Sequence, residues 1–133
     1  MTPLFEAAIY KQTLVNRLTN EMKILFVCSQ NLLRSPTAEV IFSSSPGVET
    51  LSAGINDSAK TPISAELIVW ADIVFVMEKS HRDRLKKKFR SELKAKRLVV
   101  LDIPDKYDYM DPELVRILTE KVPRYVPIIK ESA

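Results

Sequence analysis

One cysteine and one histidine in 133 residues set the first limits on this chain. The lone Cys28 excludes an internal disulfide and any cysteine-cluster metal site. The lone His81 excludes a histidine-based zinc site. No apolar run approaches the ~18 residues that a membrane-spanning helix needs. The first 21 residues carry Glu6, Lys11 and Arg17 and lack a continuous apolar core of the signal-peptide kind, which argues against export. Charge of one sign is also scarce, since 20 Lys and Arg against 17 Asp and Glu leave +3. So mild a surplus suits phosphorylated or acidic partners and calls for neither nucleic acid nor a membrane. Internal repeats and low-complexity tracts are missing, which argues against a solenoid. What remains, 46% hydrophobic and 28% charged, is the composition of one globular domain with a core of its own.

The informative segment runs from Cys28 to Ser35, Cys-Ser-Gln-Asn-Leu-Leu-Arg-Ser. It follows the apolar run Ile24-Leu25-Phe26-Val27 and precedes Pro36, a residue suited to a first helical turn. Strand, loop and helix are therefore expected. Such a loop turns the backbone N–H groups of Ser29, Gln30, Asn31, Leu32 and Leu33 toward one point, at which the helix also aims its positive end. That cradle fits a phosphate-sized dianion. Arg34 adds a planar fork that can hold two phosphate oxygens. Amides, helix end and guanidinium together favour the thiolate of Cys28, the form that acts as a nucleophile, and a reducing cytoplasmic setting suits it. Ser35 can cap the helix and donate its hydroxyl to that thiolate. The bland alternative is a buried, inert cysteine with an unrelated surface arginine.

Along the rest of the chain, apolar runs alternate with helical patterns. Residues 23–28, Val48 to Ser52, Asp72 to Met77 and Leu98 to Leu101 read as strands. Helices are expected from Ser35 to about Ser44, over Ala65–Trp70 after a Ser64 cap, from Lys79 to about Lys96, and from Pro112 to about Val122 after an Asp111 cap. Pro123 and Pro127 are read as stopping the last helix. This pattern gives an α/β domain, a four-stranded parallel sheet between two helical layers, with a flavodoxin-like arrangement. Cys28, Ser52, Met77 and Asp102 then fall at or near the strand C-termini, the edge where such sheets bind ligands. His81 lies in the charged helix and is read as a surface residue. The run Lys86-Lys87-Lys88, Arg90, Lys94, Lys96 and Arg97 reads as a solvated helix face, or more sharply as a docking surface for a phosphoprotein. Residues 22–126 form the expected domain and 127–133 a tail. Residues 1–21 read either as an extra amphipathic helix, which offers a route to an oligomer, or as a leader ahead of a natural start at Met22; the second is preferred.

At Val27-Cys28-Ser-Gln-Asn31-Leu-Leu-Arg34-Ser35-Pro36-Thr37-Ala38-Glu39 the chain resembles the low-molecular-weight protein tyrosine phosphatases. Further similarities follow in that family's order: Ser52-Ala53-Gly54, then Ala71-Asp72-Ile-Val-Phe-Val-Met77-Glu78, then Ile103-Pro104-Asp105-Lys106-Tyr107. The resemblance covers about Met22 to Val126. It implies a cofactor-free, metal-free cysteine phosphatase acting on a phosphorylated protein or a small aryl phosphate. In that reading Cys28 attacks phosphorus, Arg34 binds the phosphate, Asn31 shapes the loop through Ser52 and Asp105 is the general acid. Tyr107 and Tyr109 read either as pocket walls that stack on an aromatic substrate or as loop anchors. Asp102 remains an alternative acid, because it directly follows a strand. Gln30 stands where the family usually has glycine, Leu33 where it often has a second cysteine, and Lys106 where a proline usually follows the acid. The stretch from Gly54 to Asp72 is also shorter than usual, so substrate preference is not carried over.

Rival functions remain. A phosphocysteine carrier on a similar sheet needs neither Arg34 nor a late aspartate. Arsenate reduction passes a disulfide between cysteines and needs more than one thiol. A phosphate-binding regulator with weak or no turnover is the principal alternative.

Overall fold

The computed structural model describes residues 21–132. The N-terminal segment 1–20, and with it both readings of that extension, lies outside the described residues. Strand β1 (Met22–Cys28) leads through the 29–33 loop to helix α1 (Arg34–Phe42) and strand β2 (Val48–Gly54). Helix α2 (Ala65–Trp70), strand β3 (Ile73–Val76), helices α3 (Lys79–Lys88) and α4 (Arg90–Leu93) and strand β4 (Arg97–Val100) follow. Helix α5 (Pro112–Lys121), a 3-10 turn (Val122–Arg124) and helix α6 (Pro127–Ser132) complete the domain. All strand pairs are parallel and the order is β2-β1-β3-β4. The expected α/β sandwich is therefore the observed one. No helix among the described residues is long and apolar enough to cross a membrane.

Alternation along the strands builds the two helical layers. Ile24, Phe26 and Cys28 of β1 join one core with Ile73 and Phe75, Ala38 and Phe42 of α1, and Leu114 and Leu118 of α5. Leu25 and Val27 join the other with Val74 and Val76, Ile68 of α2, Leu85 of α3 and Leu93 of α4. Side chains two apart on a strand share a face, and a strand buried on both sides reads as one apolar run. Phe26 stacks on Phe42 and Phe75 with ring centroids 5.9 and 5.5 Å away. β1 is thus pinned from both sides, and Cys28 at its end is held as firmly as the sheet itself.

The helix expected from Lys79 to Lys96 is broken at Phe89, which has φ −127° and ψ 42° and separates α3 from α4. The break keeps the Phe89 ring buried in the second core. No glycine or proline announces it. Pro127 opens α6 instead of stopping α5, as proline does at a first helical position. Ile129 of α6 is buried in the first core, so the chain stays packed on the sheet as far as that residue. Two of the expected caps are in place: Ser64 Oγ accepts from Leu67 N at 3.3 Å and Asp111 Oδ1 from Glu113 N at 2.8 Å.

Gly54 ends β2 under the 29–33 loop. A Cβ there would meet Ala59 Cβ at 2.3 Å, Ser29 O at 2.8 Å and Asn31 N at 3.0 Å. Two of these neighbours are backbone atoms, which cannot swing aside. Gly54→Ala should therefore cost about 1–3 kcal/mol and lower the melting temperature by about 5 °C or more. An unchanged melting temperature would mean that the loop does not lie this close to β2.

Candidate active site

The 29–33 loop leaves β1 at the sheet's C-terminal edge, where β1 parts from β3 and strand order reverses. The carbonyls of Cys28, Ser29 and Gln30 are turned toward the neighbouring 54–60 segment. Ile55 N donates to Cys28 O at 2.8 Å, Asn56 N to Ser29 O at 3.1 Å and Lys60 N to Gln30 O at 3.0 Å. Among the described residues, the N–H groups of Ser29 to Leu33 donate to no protein acceptor. Outward carbonyls with N–H groups left free of protein acceptors are what an anion-binding nest offers.

Asn31 holds the loop in shape. Its φ of 57° is left-handed, a region that asparagine tolerates better than most residues. Its Nδ2 donates to Ser35 Oγ at 3.0 Å and to Ser52 Oγ at 2.9 Å. Ser52 Oγ in turn donates to Glu39 Oε1 of α1. Loop, helix and β2 are thereby linked through one amide.

Ser35 does not cap α1. That helix begins at Arg34 and its cap position, Leu33, makes no side-chain cap bond. Ser35 lies inside the first turn with its hydroxyl on the buried side, 3.0 Å from Cys28 Sγ and 3.3 Å from Ala53 O. The single hydroxyl proton has those two acceptors to choose between, while Asn31 occupies the oxygen as a donor. When Cys28 is a thiolate, the charge draws that proton.

Arg34 is 1% exposed, an unusual place for a guanidinium. Its Nη1 donates to Glu78 Oε2 at 2.6 Å and to Ile103 O at 2.8 Å. Asp105 Oδ1 lies 3.7 Å from its Nε. Both short bonds use Nη1. Glu78 comes from the exit of β3, and Ile103 and Asp105 from the loop after β4. Cys28, Ser29, Gln30, Leu32, Leu33, Arg34 and Asp105 together line a cavity of about 110 Å³. Its small volume and mixed lining suit a phosphate group entered from solvent.

Asp102 is not brought to this cavity. It has φ 55° and lines a separate recess with Glu78, Lys79, Ser80, Ile103 and Pro104. Tyr107 is also absent from the cavity wall; its ring packs against the first core, and Lys106 Nζ lies 5.5 Å from its centroid. A larger groove of about 630 Å³ begins on the far side of Leu32, bounded by Val40, Leu51, Lys60 and Tyr109. It contains neither Cys28 nor Arg34, so size alone does not mark the chemistry.

Two residues went unassigned from the sequence. Glu78 lies two residues past the end of β3, at the same sheet edge as Cys28, a position that could have singled it out. His81, expected on the surface, is 2% exposed. The first turn of α3 faces the loop, which buries the ring against Ser29, with Nε2 2.9 Å from Ser29 Oγ. The readable signal was Glu78-x-x-His81, which forms a capping box at the start of α3.

No protein-family model and no curated relative matches the sequence. Solved structures do match. The chain is similar to the tyrosine phosphatase Wzb from Escherichia coli, in complex with phosphate, at 20% identity and a TM-score of 0.64, covering 80% of this chain and 97% of that one. It is similar to a low-molecular-weight protein tyrosine phosphatase from T. tengcongensis at 21% identity and a TM-score of 0.61, covering 85% and 100%. It is also similar to the YwlE arginine phosphatase from Geobacillus stearothermophilus at 22% identity and a TM-score of 0.59, covering 82% and 88%. The chain therefore has the fold of the low-molecular-weight phosphatases.

The Asn31 network makes a separable prediction. Asn31→Ala loses both donated bonds and leaves a Cβ-bearing residue in left-handed backbone, for a total of about 2–3 kcal/mol by chemical denaturation. Asn31→Gly loses the same bonds without the backbone strain and should recover about 1 kcal/mol of that loss. A neutral Asn31→Ala would remove this amide from the loop's support.

Proposed function

We propose that this protein is a metal-free, cysteine-dependent phosphatase that hydrolyses phosphotyrosine or a similar aryl phosphate through a phosphocysteine. The observation that carries the reading is the small cavity shared by Cys28, Arg34 and Asp105 and lined by the 29–33 loop, whose N–H groups have no protein acceptor among the described residues. Cys28 thiolate attacks phosphorus in line, forming the S–P bond as the P–O bond to the aryl group breaks. Arg34 and the loop amides hold the spread charge of the transition state. Asp105 gives its proton to the departing aryl oxygen. In the second half, Asp105 takes a proton from water, water attacks phosphorus, and the S–P bond breaks. Ser35 then donates to the sulfur and eases its departure as thiolate.

Leu32 and Leu33 give the cavity an apolar side that suits a flat ring. Two of the similar solved structures are described as tyrosine phosphatases and one as an arginine phosphatase. Phosphotyrosine and phosphoarginine peptides are therefore the pair to compare. A reducing, cytoplasmic compartment and a phosphorylated protein as partner complete the proposal. Asp105 is preferred to Asp102 as the acid because it lines the Cys28 cavity and Asp102 does not.

Cys28→Ser should abolish turnover of aryl phosphates while phosphate binding persists, and a chelator should leave the wild-type rate intact. Wild-type rates in Cys28→Ser, or loss of activity with the chelator, would contradict the mechanism. If phosphate binds and no aryl phosphate is turned over, the protein is a phosphate-binding regulator.

A general acid matters most for a poor leaving group. Asp105→Asn should slow phosphotyrosine hydrolysis by ~10²-fold or more and that of a nitrophenyl ester far less. The same leaving-group dependence in Asp102→Asn instead would transfer the role to Asp102.

A further inference from the structure

His81 is the buried titratable side chain that the proposed chemistry leaves unused. Its Nδ1 accepts from Glu78 N at 3.2 Å. A ring nitrogen that accepts carries no proton, so the neutral ring carries its proton on Nε2. Nε2, 2.9 Å from Ser29 Oγ, is then the donor to that hydroxyl. Ser29 is the first loop residue after Cys28, and Glu78 supplies the carboxylate that holds Arg34. One imidazole thus ties the loop to the residue that fixes the guanidinium.

We propose that neutral His81 is a positioning residue for the phosphate cradle, and that its protonation releases Glu78 and Ser29 and lowers turnover at acid pH. The proposal rests on reading the loop as a catalytic phosphate site. A protonated ring has two donors and no acceptor. The Glu78 N–H would then face another N–H, which breaks the capping box. Nε2 also lies 3.7 Å from Glu78 Oε2, the oxygen that Arg34 Nη1 engages. A charged ring competes with Arg34 for that oxygen.

The charges facing His81 come from several elements: Arg34 of α1, Glu78 at the start of α3, Arg84 on its own helix, and Asp105 from the loop after β4. Burial, and then Arg34, hold its pKa below the ordinary 6.5, while Glu78 pulls the other way. The folded value is therefore below the unfolded one. The resulting stability is complete above pH 6.5 and is lost as pH falls from there through the folded value.

The ring is the chain's single histidine, so nitrogen NMR of ¹⁵N-histidine-labelled protein reads it without assignment. The Nε2–H tautomer at pH near 7.5 and a protonation midpoint below 6.5 are expected. An Nδ1–H tautomer, or a midpoint at or above the ordinary value, would overturn the proposal. Two substitutions separate positioning from bulk structure. His81→Gln can bring an amide N–H to where Nε2 stands and cannot titrate, whereas His81→Ala supplies no donor. On an aryl phosphate, kcat should fall about tenfold in His81→Ala and no more than about threefold in His81→Gln. Both should lose one ionisation from the acid limb of the wild-type pH profile. An acid limb unchanged in both would also overturn the proposal. Should His81→Ala fail to fold, Ser29→Ala removes the acceptor instead and should shift the ring's midpoint. An unshifted midpoint there would contradict the Ser29 bond. A wild type with no turnover would sink the hydrolytic reading, and the ring spectrum alone would then decide for His81.

Discussion

A guanidinium with almost no solvent contact governs this structure. Buried charge is tolerated only when it is paired and hydrogen-bonded. Arg34 meets that demand through Glu78, Ile103 O and Asp105, which come from the exits of β3 and β4. Its own helix starts at the exit of β1. Three strand ends must therefore stay in register for one side chain to remain satisfied. That requirement links the stability of the sheet edge to the shape of the cavity. It also explains why the cavity sits where β1 and β3 diverge and not in the larger groove beyond Leu32.

The loop is held by a second, neutral network. Outward carbonyls, the left-handed Asn31 and the buried hydroxyls of Ser35 and Ser52 fix a backbone that would otherwise have many conformations. Gly54 lets β2 approach close enough to take part. A cradle fixed before an anion arrives loses little entropy on binding, which is the condition for strong electrostatic stabilisation.

Much of this was legible in the sequence, because the strands are continuous apolar runs and the Cys28–Pro36 spacing has few local meanings. Those runs marked the strands, and the Ser64 and Asp111 caps marked two helix starts. Other features depend on tertiary packing and leave little local trace. The break at Phe89 comes from a ring kept in the core, within a stretch whose charges read as continuous helix. Ser35 looks like a cap, yet its hydroxyl is claimed by buried partners. His81 sits among charged residues that suggest solvent, while the turn carrying it faces the loop. Pro127 opens α6 although it looks like a stop, because proline signals both ends of a helix. Asp102 and Asp105 could not be separated by sequence position, since three residues of loop decide which one reaches the cavity.

The central claim is that phosphorus passes through the sulfur of Cys28. Rapid quenching of the wild-type protein during turnover of an aryl phosphate, followed by mass-spectrometric mapping, tests it directly. The account predicts a phosphoryl group on Cys28 that forms at least as fast as product and disappears at the turnover rate. Turnover with no phosphorylated Cys28, or with the phosphoryl group on another residue, would contradict it.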